Sequence, residues 1–149
     1  MICRITRDKI DTPALLEAVK HPEAGAVLAF EGIARNNSLG RRVLYLVYDA
    51  YPEMAEKKLR QIGEEIAAKW GITRLAMVHR IGRLEISEAS LVIALASAHR
   101  ADGFAACRYA LERIKAILPV WKKEVWENGE EWIEGKDFAP FDQEAALKR

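Results

Sequence analysis

Apolar residues along this chain recur at two different spacings, and the changes between them mark its elements. Short apolar runs with strand character fall at residues 2–7, 26–30, 43–48, 75–81 and 90–96. Between them, Ala55, Leu59, Ile62, Ile66 and Trp70 recur at steps of three and four. That spacing predicts a long helix opened by Pro52 and closed by Gly71. A second helix, over 102–118, carries Phe104, Cys107, Leu111, Ile114 and Leu118 on one face and stops at Pro119. A shorter helix runs to about residue 20, with Thr12 as its N-cap and Pro13 in the first helical position.

The last pattern is a hairpin. Residues 120–126 and 131–134 flank Asn128-Gly129, a pair suited to a type I′ turn, and that register sets Val125 opposite Trp132. The tail from about residue 135 is polar and weakly constrained. Two long helices among about seven strands, partly in hairpins, predict an α+β fold rather than a doubly wound sheet. The length of 149 residues suits a single domain, 1–149.

Charge changes the picture little overall and much locally. There are 23 Lys and Arg against 22 Asp and Glu, a net charge of +1. No surface-wide field exists to hold a polyanion, so nucleic-acid binding is not expected. Cys3 and Cys107 form neither a metal motif nor a disulfide framework, and Cys107 reads as a small core hydrophobe. His21, His79 and His99 fall in no metal-binding motif, and neither glycine-rich nucleotide motif occurs, so no metal or cofactor is expected. The N-terminal residues lack the apolar run of a signal peptide, and no segment reaches membrane-span length, which points to the cytoplasm.

Candidate chemistry gathers around the second long helix. His99-Arg100 precede it, Lys115 lies in its last turns, and Lys122 follows in the next strand, with no cysteine nucleophile among them. Such a basic set suits an anionic substrate whose reactive atom comes from elsewhere. Each member also has an ordinary structural reading. Lys115 could pair with Glu112, Lys122 could protect a strand edge, and His79-Arg80 could bond Glu85 or Glu88. The loop holding Arg35, Asn36 and Asn37 offers guanidinium and amide donors for a phosphate, with Arg41 and Arg42 widening its positive rim.

Five ordered blocks make the reading specific. They are Phe30-Glu31-Gly32-Ile33-Ala34-Arg35-Asn36-Asn37-Ser38-Leu39-Gly40, Tyr51-Pro52-Glu53-Met54-Ala55, His79-Arg80-Ile81-Gly82, Ser97-Ala98-His99-Arg100, and Leu111-Glu112-Arg113-Ile114-Lys115 through Pro119-Val120-Trp121-Lys122-Lys123-Glu124. In order and spacing the chain resembles the molybdopterin synthase catalytic (large) subunit family over about residues 2–133. Ile33-Ala34 depart from the basic or polar residue and valine more usual there, and Asn37 stands where histidine can occur.

The resemblance implies an α/β-hammerhead-type α+β fold with a mostly antiparallel sheet. It also implies a homodimer of large subunits within a heterotetramer, each large subunit binding a small ubiquitin-like sulfur-carrier subunit. The implied reaction moves two sulfurs from the carrier's C-terminal thiocarboxylate to cyclic pyranopterin monophosphate (precursor Z), giving molybdopterin. Lys115 and Lys122 match the positions closest to the chemistry, and Arg35, His99 and Arg100 match substrate-binding positions. A noncatalytic module for a ubiquitin-like partner is the alternative; a phosphate-binding hydrolase would need paired carboxylates at a convincing spacing. His99 and Lys115 lie sixteen residues apart, most of that interval reading as one helix that rises about 1.5 Å per residue, so about 20 Å separates them, which predicts a site shared between two subunits.

Overall fold

The computed structural model describes residues 1–133. In chain order these form β1 (Ile2–Thr6), α1 (Thr12–Val19), β2 (Ala26–Ile33), β3 (Asn37–Ser38), β4 (Arg41–Ala50), α2 (Pro52–Trp70), β5 (Leu75–Arg80), β6 (Gly82–Glu85), β7 (Ala89–Ser97), α3 (Arg100–Ile117), β8 (Val120–Trp126) and β9 (Gly129–Ile133). The α+β class, the two long helices and the C-terminal hairpin are all present, and every strand pairing is antiparallel except β1 with β5. The weakly constrained tail lies outside the described residues.

The first sheet has the order β1-β5-β7-β2 and is covered on both faces. Period two along β5 and β7 divides their side chains between two cores. Leu75, Met77, Leu91, Ile93 and Leu95 face α2 and α3, meeting Leu59, Ile62, Ile66, Ala106, Ala110 and Ile114. Ala76, Val78, Val92, Ala94 and Ala96 face α1, meeting Leu15 and Val19. Burial on both sides explains why β5 and β7 read as continuous apolar runs. The second sheet has the order β3-β4-β8-β9, with β6 also paired to β4, and gathers the smaller cluster of Ala34, Val43, Leu46 and Leu84.

The long helices are clamped to each other by charge. Glu65 on α2 accepts from the Tyr109 hydroxyl at 2.7 Å and from Arg113 Nε and Nη2 at 2.9 and 3.0 Å. The Arg113 donors hold the Glu65 carboxyl down to about 2. These charge-assisted, partly buried bonds fix how α3 lies across the sheet.

Several local expectations are corrected. Asp11, not Thr12, caps α1: its carboxylate accepts from Ala14 N at 3.1 Å, which makes Thr12 the first helical residue. The buried stripe of α3 is Gly103, Ala106, Ala110 and Ile114, about one position round from the predicted face, while Phe104 is exposed. Close packing dictates this: a Cβ on Gly103 would lie 2.7 Å from Ser97 Oγ and 2.8 Å from Leu28 Cδ1. Two strands beyond the predicted seven appear, β3 and β6. The polar loop after β2 is itself a small hairpin, turning through Leu39 and Gly40 at φ 51° and 80°.

The C-terminal hairpin is displaced by two residues. Trp126 pairs with Gly129, so Glu127-Asn128 form the turn and Val125 faces Glu130. This register brings Lys123 opposite Trp132, with its ammonium 5.4 Å from the indole centroid and 3.4 Å from Glu130. A shift of two leaves every side chain on its expected face.

Candidate active site

The strand register builds the site. Across β4, β8 and β9, Tyr48 pairs with Lys122 and Lys122 with Ile133, so one row of side chains crosses the second sheet. That row closes one side of a cavity of about 210 Å³. The first sheet contributes Phe30 and Gly32 from β2, His79 from β5, and Ser90 and Leu91 from β7. The end of α3 supplies Leu111, Ile114 and Lys115, and Leu118 and Val120 complete the wall.

The walls are largely apolar, with a few polar groups converging inside them. Lys115 sits in the last turn of α3, where a cation complements the negative end of the helix dipole. Lys122 is half-buried on β8, between β4 and β9, so it does not guard an open edge. Ser90 Oγ donates to the Gly32 carbonyl at 3.1 Å. His79 is buried, with its Nδ1 2.8 Å from the Arg80 carbonyl and its ring edge-on to Tyr48 at 5.1 Å. Burial, with a smaller contribution from the Lys115 charge, pushes the imidazole down to about 4. The ring is therefore neutral at pH 7.

Of the residues singled out in the sequence, the structure brings Lys115 and Lys122 together. It does not bring Arg35, His99 or Arg100 to them. Arg35 is exposed between β2 and β3, next to buried Ala34, which is tied to Glu88 and Ser87 through backbone bonds of 3.0 and 2.8 Å. His99 is the N-cap of α3 and Arg100 its first residue, both exposed, at the far end of the helix from Lys115.

His79 is the cavity residue that sequence reasoning set aside as structural. The pairing with Glu88 holds for Arg80, at 3.1 Å, but not for His79. The missed signal was positional: residues 75, 77 and 79 share one face of β5, so His79 follows Leu75 and Met77 toward α3. Tyr48 was likewise read only as a strand end.

Fold and cavity together define an α+β protein with a largely apolar pocket carrying two ammonium groups. Comparison with known proteins narrows this class. The profile of the MoaE protein family matches residues 5–117. The molybdopterin synthase catalytic subunit of Halalkalibacterium halodurans is 56% identical over 119 residues, covering 80% of this chain and 76% of that one. A crystal structure of molybdopterin synthase from Staphylococcus aureus superposes with a TM-score of 0.84 at 46% identity, covering 87% and 95% of the two chains. The fold also matches, with a TM-score of 0.72 and 22% identity over 97% of each chain, a structure from a complex of subunits 1 and 2 of the Helicobacter pylori molybdopterin-converting factor. The chain belongs to the molybdopterin synthase catalytic subunit family.

Proposed function

We propose that this chain is the sulfur-transferring subunit of a molybdopterin synthase. It binds cyclic pyranopterin monophosphate and directs to that substrate two sulfurs, one at a time, from the C-terminal thiocarboxylate of a small ubiquitin-like carrier, producing the dithiolene of molybdopterin and leaving the carrier's carboxylate. The observation that carries this reading is the cavity that holds Lys115 and Lys122 without a thiol. Cys3 and Cys107 lie outside it, and burial pushes both thiols up, away from the nucleophilic thiolate. Sulfur must then arrive on a partner, and an extended C-terminal tail is the form that can thread a pocket of this size.

In this reading Lys115 stabilises the oxyanion that develops at the carrier's acyl carbon as its sulfur is transferred. Lys122, on a rigid strand, holds the pterin or its phosphate, and Arg35, exposed outside the cavity lining, adds a guanidinium for the part of the anion that extends beyond it. His99 and Arg100 serve the cavity of a second copy of the chain in a homodimer, with one carrier per subunit making a heterotetramer. The test is direct. Purified protein, thiocarboxylated carrier and precursor should yield the dithiolene product, whereas carrier binding without product would leave a noncatalytic binding module.

A further inference from the structure

The cavity contains one titratable side chain that this transfer does not use. His79 is 6% exposed and lines the cavity from β5. Its Nδ1 faces the Arg80 carbonyl oxygen at 2.8 Å. A carbonyl only accepts, so Nδ1 carries the proton and Nε2 keeps its lone pair. The Nδ1 contact is the only hydrogen bond of the ring among the described residues. No buried side-chain nitrogen or oxygen among them lacks a partner. Nε2 is therefore accessible rather than sealed in protein, and the accessible space His79 borders is this cavity.

The surroundings keep that nitrogen unprotonated. Lys115 and Lys122 share the cavity, Tyr48 packs edge-on against the ring, and Arg80 is turned away to Glu88. No carboxylate lines the cavity among the described residues to favour an imidazolium. The two lysines can only donate, and they attract any anionic group with little regard to its orientation. A neutral acceptor fixed beside them has a different effect, because it rejects every pose that does not bring it an N–H or O–H.

We infer that His79 Nε2 is the uncharged hydrogen-bond acceptor of this cavity, fixing the orientation of a bound nitrogen heterocycle by receiving one of its ring N–H or amino protons. The inference rests on the functional reading above for the identity of that heterocycle, a reduced pterin, which is dense in such donors.

Two substitutions separate the nitrogens. His79→Asn keeps a donor near the Nδ1 position and loses the acceptor at Nε2, while His79→Gln does the reverse. With the complete carrier-bound enzyme, His79→Asn should weaken precursor binding about tenfold, the cost of one lost hydrogen bond, and His79→Gln should stay within about threefold of wild type. Inorganic phosphate, which brings no heterocycle, should compete equally in all three proteins. The opposite ranking, with Asn the better replacement, would assign His79 a purely structural role and overturn the inference.

If His79→Gln fails to fold, nitrogen NMR of the wild type decides. The protein has three histidines, so the His79 signals are assigned by their loss in His79→Asn. At pH 7 the Nε2 resonance should be that of an unprotonated nitrogen and should move upfield on saturation with precursor. A protonated Nε2, or a resonance that does not move, would refute the role. Wild-type turnover measured in parallel separates the two readings. No dithiolene product would sink the sulfur-transfer function, whereas normal wild-type turnover with unimpaired His79→Asn would sink only this inference.

Discussion

The two ends of α3 carry the same kind of residue in opposite settings. At the C-terminal end, Lys115 meets Lys122 and buried His79 across a cavity walled by both sheets. At the N-terminal end, His99 and Arg100 stand exposed with no cavity of their own among those described. One end has two ammonium groups at a cavity, and the other has a cationic pair on open surface. More than about 20 Å of helix lies between them, so within one chain α3 keeps the two groups apart. The difference teaches that α3 holds the two cationic groups apart, which is the spacing that the proposed two-fold arrangement of two copies would bridge.

The largest expected effect tests the pocket end. Lys115→Ala should lower single-turnover product formation by about 10²–10³-fold, as loss of one oxyanion-stabilising group does, while carrier affinity and thermal midpoint stay near wild type. Lys115→Arg then asks whether charge suffices without the ammonium's geometry. Near-normal turnover in Lys115→Ala would remove the functional distinction between the ends.

A smaller recovery tests whether the ends cooperate between chains. His99→Ala and Lys115→Ala proteins, each inactive alone, should regain about one quarter of wild-type turnover after subunit exchange, because random pairing gives half mixed dimers, each with one intact site. Mixed dimers confirmed by mass but without turnover would place both halves of the site in one chain by a route other than α3.

The smallest effect concerns stability and separates the histidines. His79 titrates near 6.5 when unfolded and at about 4 when folded, so the unfolded chain binds the extra proton between those values. The stabilisation is therefore complete above pH 6.5 and is lost as pH falls toward 4, up to about 3 kcal/mol. Urea midpoints measured across this window should slope in the wild type and in His99→Ala but flatten in His79→Asn. A slope that persists in His79→Asn would show that the acid sensitivity resides elsewhere.

What the sequence made legible follows the same division. Lys115 and Lys122 could be found because a helix stop at Pro119 and a following strand bring them near each other whatever the rest of the chain does. His79 was hidden by its neighbours: in a strand buried on both faces, the alternation that would reveal its direction is masked by the apolar residues Ala76 and Val78. The face of α3 was misjudged for a related reason. Hydrophobic periodicity weights large side chains such as Phe104 and Leu111, but a helix pressed onto a sheet needs its smallest residues at the contact, here Gly103, Ala106 and Ala110. β6 escaped because, of Gly82, Arg83, Leu84 and Glu85, only Leu84 is buried. Its pairing to β4 follows from tertiary position rather than local pattern. The hairpin register, finally, sets Lys123 opposite Trp132 and places Glu127-Asn128, not Asn128-Gly129, at the turn centre.

Gly103 gives α3 a mechanical property. A Cβ there would run into Ser97 and Leu28 near the exposed end of α3, whereas Ile114 is seated in the core beside Lys115. A side chain added at 103 would tilt a stiff rod about its buried far end, so Lys115 next to the pivot would hardly move, while His99 and Arg100 would swing outward. In the two-fold arrangement proposed above, those residues would serve the other copy. The defect would then be felt in trans: the altered chain would keep a sound pocket and spoil its neighbour's.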